Sequence, residues 1–186
     1  EVMEMAVSNI TRAKGYLDDV EFSPMDATRT EPDYLYVLLK ECIDAGATTV
    51  NIPDTVGYTT PEEFTRLLLG IQENVPNIGK VRLSVHCHND LGMAVANSLA
   101  AIHAGATQIQ GTANGYGERC GNANLFSIIA NLKLKLDIPC VTDQQLAKLA
   151  EAHMYISEVV NIPPDSFQPY VGSSAFSHKA GLHASA

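Results

Sequence analysis

Long apolar runs, paired cysteines and an excess of positive charge are the features that this sequence of 186 residues lacks. Because no run of about 18 apolar residues occurs, no membrane-spanning helix is expected. The net charge of −9 argues against nucleic acid or an anionic membrane surface as the main partner. The four cysteines are dispersed and form no CxxC pair, which is typical of reduced thiols and predicts a cytoplasmic protein.

The two ends of the sequence also lack signals. The first residues contain no basic cluster, so no signal peptide is expected. The chain starts directly on a helical pattern and stops at Ser185-Ala186 without a helix or domain boundary signal. We therefore expect this sequence to be a segment of a longer protein.

Short β-branched runs alternate with longer amphipathic stretches along the chain. Pro32 and Pro61 suit the first turn of a helix, with Thr30 and Thr60 as expected N-caps. The candidate strands are Asp19–Ser23, Thr48–Pro53, Val81–His86, Thr107–Thr112 and Pro169–Gly172, and the candidate helices are Pro32–Ala45, Pro61–Asn74, Leu91–Ala104, Asn124–Leu136 and Thr142–Val160.

The spacing of these elements predicts repeated βα units. Successive strands are roughly 25–35 residues apart, and the sequence Ala-Gly-Ala follows two of the helices, with Gly46 and Gly105 placed to end them. Such units form a parallel sheet, which is either open or closed into a barrel. A full barrel needs about 250 residues and eight strands, so only about five units would be present here.

Polar residues collect where the predicted strands end. The third strand runs into His86-Cys87-His88, and residues two apart on a strand point to the same side. Two imidazoles so placed suit one divalent metal ion, and Zn, Mn, Fe and Co are all compatible with two histidines plus oxygen ligands. The alternative is a pair of hydrogen-bonded interior histidines. The position at a strand end, beside Asn89 and Asp90, favours metal.

The glycine-rich segment 114–122 allows two interpretations. It is either a phosphate-binding loop or a loop forced through positive φ angles, and it lacks the spacing of the known phosphate-binding motifs. Within it, Glu118 and Arg119 form either an internal ion pair or part of the catalytic machinery, and the sequence leaves both open.

Three segments together carry a resemblance to a known family. They are Asn51-Ile-Pro-Asp-Thr-Val-Gly-Tyr, His86-Cys-His-Asn-Asp-Leu-Gly and Asn114-Gly-Tyr-Gly-Glu-Arg-Cys-Gly-Asn. They resemble the acetyl-CoA-dependent Claisen-condensing enzymes, which comprise the 2-isopropylmalate, citramalate and homocitrate synthases and are related to the HMG-CoA lyases. The resemblance covers essentially the whole chain.

The resemblance implies an α/β fold, a (β/α)8 TIM barrel of which about the last five βα units are present. Residues 1–160 would be a partial catalytic barrel, and residues 161–186 would start the segment that follows it. The implied reaction condenses acetyl-CoA with a 2-oxo acid, with a divalent metal (Zn, Mn or Mg) as cofactor. A cytoplasmic homodimer without nucleic-acid or membrane partners is expected.

The resemblance also assigns residues. The implied metal ligands are His86, His88 and Asn122; the substrate-binding residues are Ser23, Asn51, Thr55 and Arg119; the catalytic residues are Glu118 and His183. A further aspartate ligand belongs to an LRDGEQ motif of the family, which is absent from this sequence. Many relatives carry Glu at the position of Met25.

The acceptor remains open between two 2-oxo acids. Residues 20–106 are more similar to 2-isopropylmalate synthases, which take 2-oxoisovalerate, and residues 107–186 to citramalate synthases, which take pyruvate. The first activity is our prediction and the second is the alternative. An HMG-CoA lyase-like activity and a non-catalytic fragment are further alternatives.

Overall fold

The computed structural model of the protein describes residues 1–181 and contains two compact units. The first unit comprises Glu1–Gly111 with Gly117–Ala123, and the second comprises Thr112–Tyr116 with the described residues from Asn124 onward. No helix in the described part of the chain is long and apolar enough to cross a membrane.

The first unit alternates helices and parallel strands. The sheet order is β1-β2-β3-β4, so each strand lies beside the next one in sequence. Its elements are α1 (Val2–Lys14), β1 (Glu21–Phe22), α2 (Pro32–Asp44), β2 (Thr49–Asp54), α3 (Pro61–Asn74), β3 (Arg82–Cys87), α4 (Ala94–His103) and β4 (Gln108–Gln110).

Local signals explain where these helices begin and end. Thr60 is the N-cap of α3, as the sequence predicts, and it forms a capping box with Glu63. Gly46 and Gly105 follow α2 and α4 with φ angles of 113° and 89°, which confirms the predicted role of glycine there. The predicted cap at Thr30 is wrong, because Glu31 occupies the N-cap of α2.

The predicted fifth strand, Pro169–Gly172, is also wrong. The segment forms turns in which Tyr170 has a φ of 67° and the amide of Gly172 donates to the carbonyl of Gln168. A left-handed residue interrupts an extended backbone, so a β-branched valine at position 171 does not suffice to make a strand. The described residues therefore contain four strands of a barrel-like sheet rather than about five.

The two faces of the sheet differ in polarity. One face carries buried apolar residues, such as Ile52 and Val85, and the helices bury apolar residues of their own, such as Phe64 in α3. The strand register gives the opposite face a second set of residues, which is almost entirely polar: Asn51, Ser84 and Gln108 in one row, and Pro53, His86 and Gln110 in the next.

The sheet curves toward this polar face. Three strand spacings separate β1 from β4, a distance of roughly 14 Å in a flat sheet. Nevertheless the amide Nε2 of Gln110 donates to both carboxylate oxygens of Glu21, at 2.7 and 2.9 Å. The two outer strands of the sheet thus approach each other across one face, as the strands of a barrel do.

The second unit contains α5 (Leu125–Leu134), α6 (Asp143–Leu146) and α7 (Leu149–Val159). The single helix predicted over Thr142–Val160 is therefore two helices. Asn114 is bonded to α7, because its Oδ1 lies 2.8 Å from Nδ1 of the buried His153. Asn114 has a φ of 59°, so part of the glycine-rich segment does pass through positive φ angles, as one of its two interpretations predicts.

Candidate metal centre

His86 and His88 stand together at the carboxyl end of β3. His86 is the penultimate residue of the strand, and His88 follows it with the same orientation. Their ring centroids are 5.1 Å apart and their planes are inclined by 70°. The structure thus brings together the two side chains that the HxH spacing places on one side.

This separation fits two ligands of one metal ion. A Zn–N bond of about 2.1 Å and a roughly tetrahedral angle place two imidazole centroids about 5 Å apart. The Nδ1 atoms of both rings are buried and have no hydrogen-bond partner among the described residues. Buried polar atoms are normally satisfied, so an unpartnered pair fits a ligand that both could bind.

Asn122 supplies an oxygen donor beside this pair. Its backbone forms an isolated bridge with that of His88, so the two residues lie on adjacent segments. A Cβ on Gly117 would lie only 2.4 Å from Nδ2 of Asn122, so glycine at position 117 makes room for this amide. Among residues 1–181 no cluster of three His, Cys, Asp or Glu side chains suits a metal. Asn122 is therefore the candidate for a third donor on the segment adjacent to His88.

The electrostatics of the site favour neutral imidazole. Burial lowers the pKa of His86, and the neighbouring His88 lowers it further, whereas Glu21 raises it. Neutral imidazole is the form that binds a metal. The residues present therefore fit a divalent ion with mixed nitrogen and oxygen ligands.

The predicted substrate-binding residues on β1 and β2 are hydrogen-bonded to one another or to adjacent backbone. The amide of the buried Asn51 donates to Oγ of Ser23 at 2.9 Å. Oγ1 of Thr55 accepts from the backbone N–H of Asp26 at 2.9 Å, which leaves the hydroxyl proton of Thr55 for another acceptor. Ser23 and Thr55 follow the carboxyl ends of two neighbouring strands, on the same edge of the sheet as the histidines, whereas Asn51 lies within β2.

Arg119 makes an ion pair, but chiefly with a different residue from the one considered in the sequence. Its Nε and Nη2 donate to the two carboxylate oxygens of Asp90, at 2.7 and 2.9 Å. Nη1 is 3.5 Å from Oε2 of Glu118, whose side chain is 81% exposed. The hydrogen bonds from Arg119 lower the pKa of Asp90. The pair that the sequence left open, Glu118 with Arg119, is therefore long and exposed, and the close ion pair is the unpredicted one with Asp90, which joins the segments that follow β3 and β4.

Two structural features of the site escaped the sequence analysis. Asp54 is fully buried and accepts hydrogen bonds from Thr28 and from the hydroxyl and amide of Thr59, so it holds the segment after β2 in place. The polar barrel-facing rows were also missed. Their signal is present, since polar residues recur at every second position in Ser84-Val85-His86 and Gln108-Ile109-Gln110.

His183, the other predicted catalytic residue, lies outside the described residues. The assignment of Ser23, Asn51, Thr55, Glu118 and Arg119 to substrate or catalysis stays a prediction, because no substrate is present to test it.

A parallel sheet that curves toward a polar face, with its functional candidates at the carboxyl ends of the strands, defines a barrel-type α/β protein. An HMG-CoA lyase from Acinetobacter baumannii, solved in complex with coenzyme A and 3-methylmalate, shares this fold. It superposes with a TM-score of 0.70 and 18% identity over 94% of this chain and 59% of that one.

The family model described as HMGL-like matches residues 1–156. The chain therefore belongs to the HMGL-like family. Among curated relatives, 2-isopropylmalate synthases from Ruminiclostridium cellulolyticum and Serratia proteamaculans are 50% and 48% identical over 98% of this chain. The chain covers 36% and 35% of their respective lengths, or about a third of each.

Proposed function

We propose that the complete protein is a 2-isopropylmalate synthase-type acyltransferase, which condenses acetyl-CoA with 2-oxoisovalerate. The observation that carries this proposal is the pair His86–His88 beside Asn122, a site that fits a divalent metal at the mouth of the barrel-like sheet. The curated relatives named 2-isopropylmalate synthase support the choice of reaction, because their similarity extends over nearly the whole chain.

In this reaction a new C–C bond forms between the acetyl methyl carbon and the keto carbon of the 2-oxo acid. The methyl group gives up a proton to a base, the π electrons of the keto group pass to its oxygen as an alkoxide that takes up a proton, and water then hydrolyses the thioester to a carboxylate and the CoA thiol. When bound by His86, His88 and Asn122, a divalent metal would supply Lewis-acid polarisation of the keto oxygen. Zn, Mn and Mg are the candidates.

The protein groups around the site have separate tasks in this account. The free hydroxyl proton of Thr55 is available to a substrate carboxylate, since the oxygen of Thr55 is already held by Asp26. Ser23 and Asn51 form the neighbouring wall, where their mutual hydrogen bond fixes the amide. We assign acid–base work to Glu118, whose carboxylate is exposed, and to His183.

The cellular location, the partners and the domain boundaries follow from the same proposal. We infer a cytoplasmic homodimer with small-molecule substrates and without nucleic-acid or membrane partners. Residues 1–160 belong to the catalytic barrel and residues 161–186 to the segment after it, a division supported by the end of the family match at residue 156.

The test is thiol release from acetyl-CoA by the full-length protein with added Mg, Mn or Zn. Parallel reactions contain 2-oxoisovalerate, pyruvate or no acceptor. We expect release with 2-oxoisovalerate that exceeds release with pyruvate by roughly 10-fold or more, since one or more methylene equivalents in a pocket discriminate by about 10–200-fold. Release with pyruvate alone would identify a citramalate synthase, and release with neither would contradict a condensing function.

A further inference from the structure

We propose that Asp90 and Arg119 act as a positioning pair, which holds Asn122 against the two histidines. Arg119 then bonds to groups of the protein and not to a substrate anion. The inference rests on the proposed metal site, but not on the identity of the acceptor. It changes the role of Arg119 from the one that the family resemblance implies.

The guanidinium group joins three segments. Arg119 bonds both carboxylate oxygens of Asp90, after β3, and its Nη2 also donates to the backbone carbonyl of Thr55, after β2, at 2.8 Å. We call this set of three residues the clamp. Arg119 itself belongs to the segment after β4. Bidentate pairing fixes the orientation of the guanidinium plane, which a single point charge would not do.

The clamp lies close to the metal-binding candidates along the chain. Asp90 is two residues after His88, and Arg119 is three residues before Asn122. Backbone hydrogen bonds join the same two segments, from the amide of Asn89 to the carbonyl of Gly121 and from the amide of Ala123 to the carbonyl of Cys87, both at 2.9 Å. A shift of Arg119 would therefore be passed to Asn122 through very few bonds.

Two backbone positions near the clamp have φ angles that accommodate its contacts. Gly57 has a φ of 62°, and a Cβ there would lie 2.5 Å from Oδ2 of Asp90. Arg119 has a φ of 55° although it is not a glycine. A left-handed backbone is strained for a residue with a side chain, and such strain persists only where surrounding contacts determine the conformation. The contacts that do so here are those of the clamp.

The exposure of the pair argues against a mainly stabilising role. The side chains of Arg119 and Asp90 are 41% and 24% exposed. Partly exposed ion pairs contribute little to global stability. Residues that orient metal ligands, by contrast, typically change metal affinity about 10- to 100-fold when they are replaced. The consequence of breaking the clamp should thus appear in the metal site and not in the melting temperature.

The test measures the dissociation constant of Zn²⁺ by competition with a chromophoric chelator, using the full-length protein. The variants are Asp90→Ala, Arg119→Ala, Arg119→Lys and the Asp90→Ala/Arg119→Ala double variant. We expect each single alanine variant to weaken Zn²⁺ binding about 10- to 100-fold, and the double variant to be no weaker than either. Arg119→Lys should resemble Arg119→Ala, because lysine cannot reproduce the two parallel bonds.

A matched control lies at the other end of β3. Arg82 also pairs with both carboxylate oxygens of Asp19, at 2.6 and 2.7 Å, where the strands begin, but it does so through the single nitrogen Nη2. Asp19→Asn should leave the dissociation constant of Zn²⁺ unchanged. All variants should melt within a few degrees of the wild type, which separates positioning from unfolding.

Steady-state kinetics distinguish positioning from substrate binding. If Arg119→Ala raises the KM for acetyl-CoA or the 2-oxo acid 10-fold or more while Zn²⁺ binding is unchanged, Arg119 binds substrate and the inference is wrong. Additive losses in the double variant would also overturn it. A protein that binds Zn²⁺ with this coupling, yet releases no CoA with any acceptor, would refute the proposed reaction and leave the clamp standing.

Discussion

Gly57 is the position at which the structure most clearly requires glycine. Its positive φ angle and its contact with Asp90 both exclude a side chain. We expect Gly57→Ala to lower the free energy of unfolding by at least about 1–2 kcal/mol, from backbone strain alone. Urea denaturation of the full-length protein measures this change.

Gly79 is the matched control for this substitution. A Cβ at that position would meet nothing within 4 Å, and its φ angle is not in the left-handed region. Gly79→Ala should therefore change the free energy of unfolding by less than about 0.5 kcal/mol. Equal effects of the two substitutions would contradict our account of the segment around Gly57.

The placement of single side chains could be predicted where the spacing of the residues in the sequence alone determines it. The separation of His86 and His88 by two positions on a strand sufficed to place both rings together. The partner of Arg119 could not be predicted. Asp90 is 29 positions away in the sequence, and only the parallel pairing of β3 and β4 brings their following segments side by side.

At the scale of the element, α3 offers a direct test of helix capping. Oγ1 of Thr60 accepts from the amide of Glu63, and the carboxylate of Glu63 accepts from the amide of Thr60. We expect Thr60→Ala to lower the free energy of unfolding by about 0.5–2 kcal/mol. Thr60→Ser keeps the capping oxygen and should retain most of that stability in the same urea titration. A serine variant as unstable as the alanine variant would show that the methyl group matters more than the cap.

The elements themselves were largely predictable, and the exceptions have physical causes. α2 and α3 begin at the predicted prolines, and all four strands lie within one or two residues of the predicted runs. The strand predicted at Pro169–Gly172 is wrong because the turn there depends on the left-handed conformation of Tyr170. The identity of a tyrosine does not indicate that conformation. The break between α6 and α7 was not predicted, because the helical spacing of apolar residues continues across it.

At the scale of the whole molecule, the polarity of the barrel-facing side of the sheet is the informative feature. The interior of such a barrel is usually filled by bulky branched residues. Here it carries Asn51, Ser84, His86 and two glutamines. A hydrogen bond from the amide of Gln110 to the carboxylate of Glu21 crosses this face. A polar interior lacks the stabilisation that buried apolar side chains would give. Its presence here is consistent with a functional site built into the sheet.

The family and the parallel βα architecture could both be anticipated from the sequence, whereas the inward polarity needed the strand register. The chain covers only about a third of the relatives named 2-isopropylmalate synthase. Experiments on function therefore belong to the full-length protein.

The most direct test of the central claim compares CoA release with 2-oxoisovalerate by full-length wild type, His86→Ala and His103→Ala. His103 is exposed near the end of α4 and serves as the control histidine. We predict that His103→Ala retains the wild-type rate, and that His86→Ala loses more than the roughly 100-fold that a merely supporting residue gives. A His86→Ala variant that releases CoA at the wild-type rate would contradict the metal centre proposed for this site.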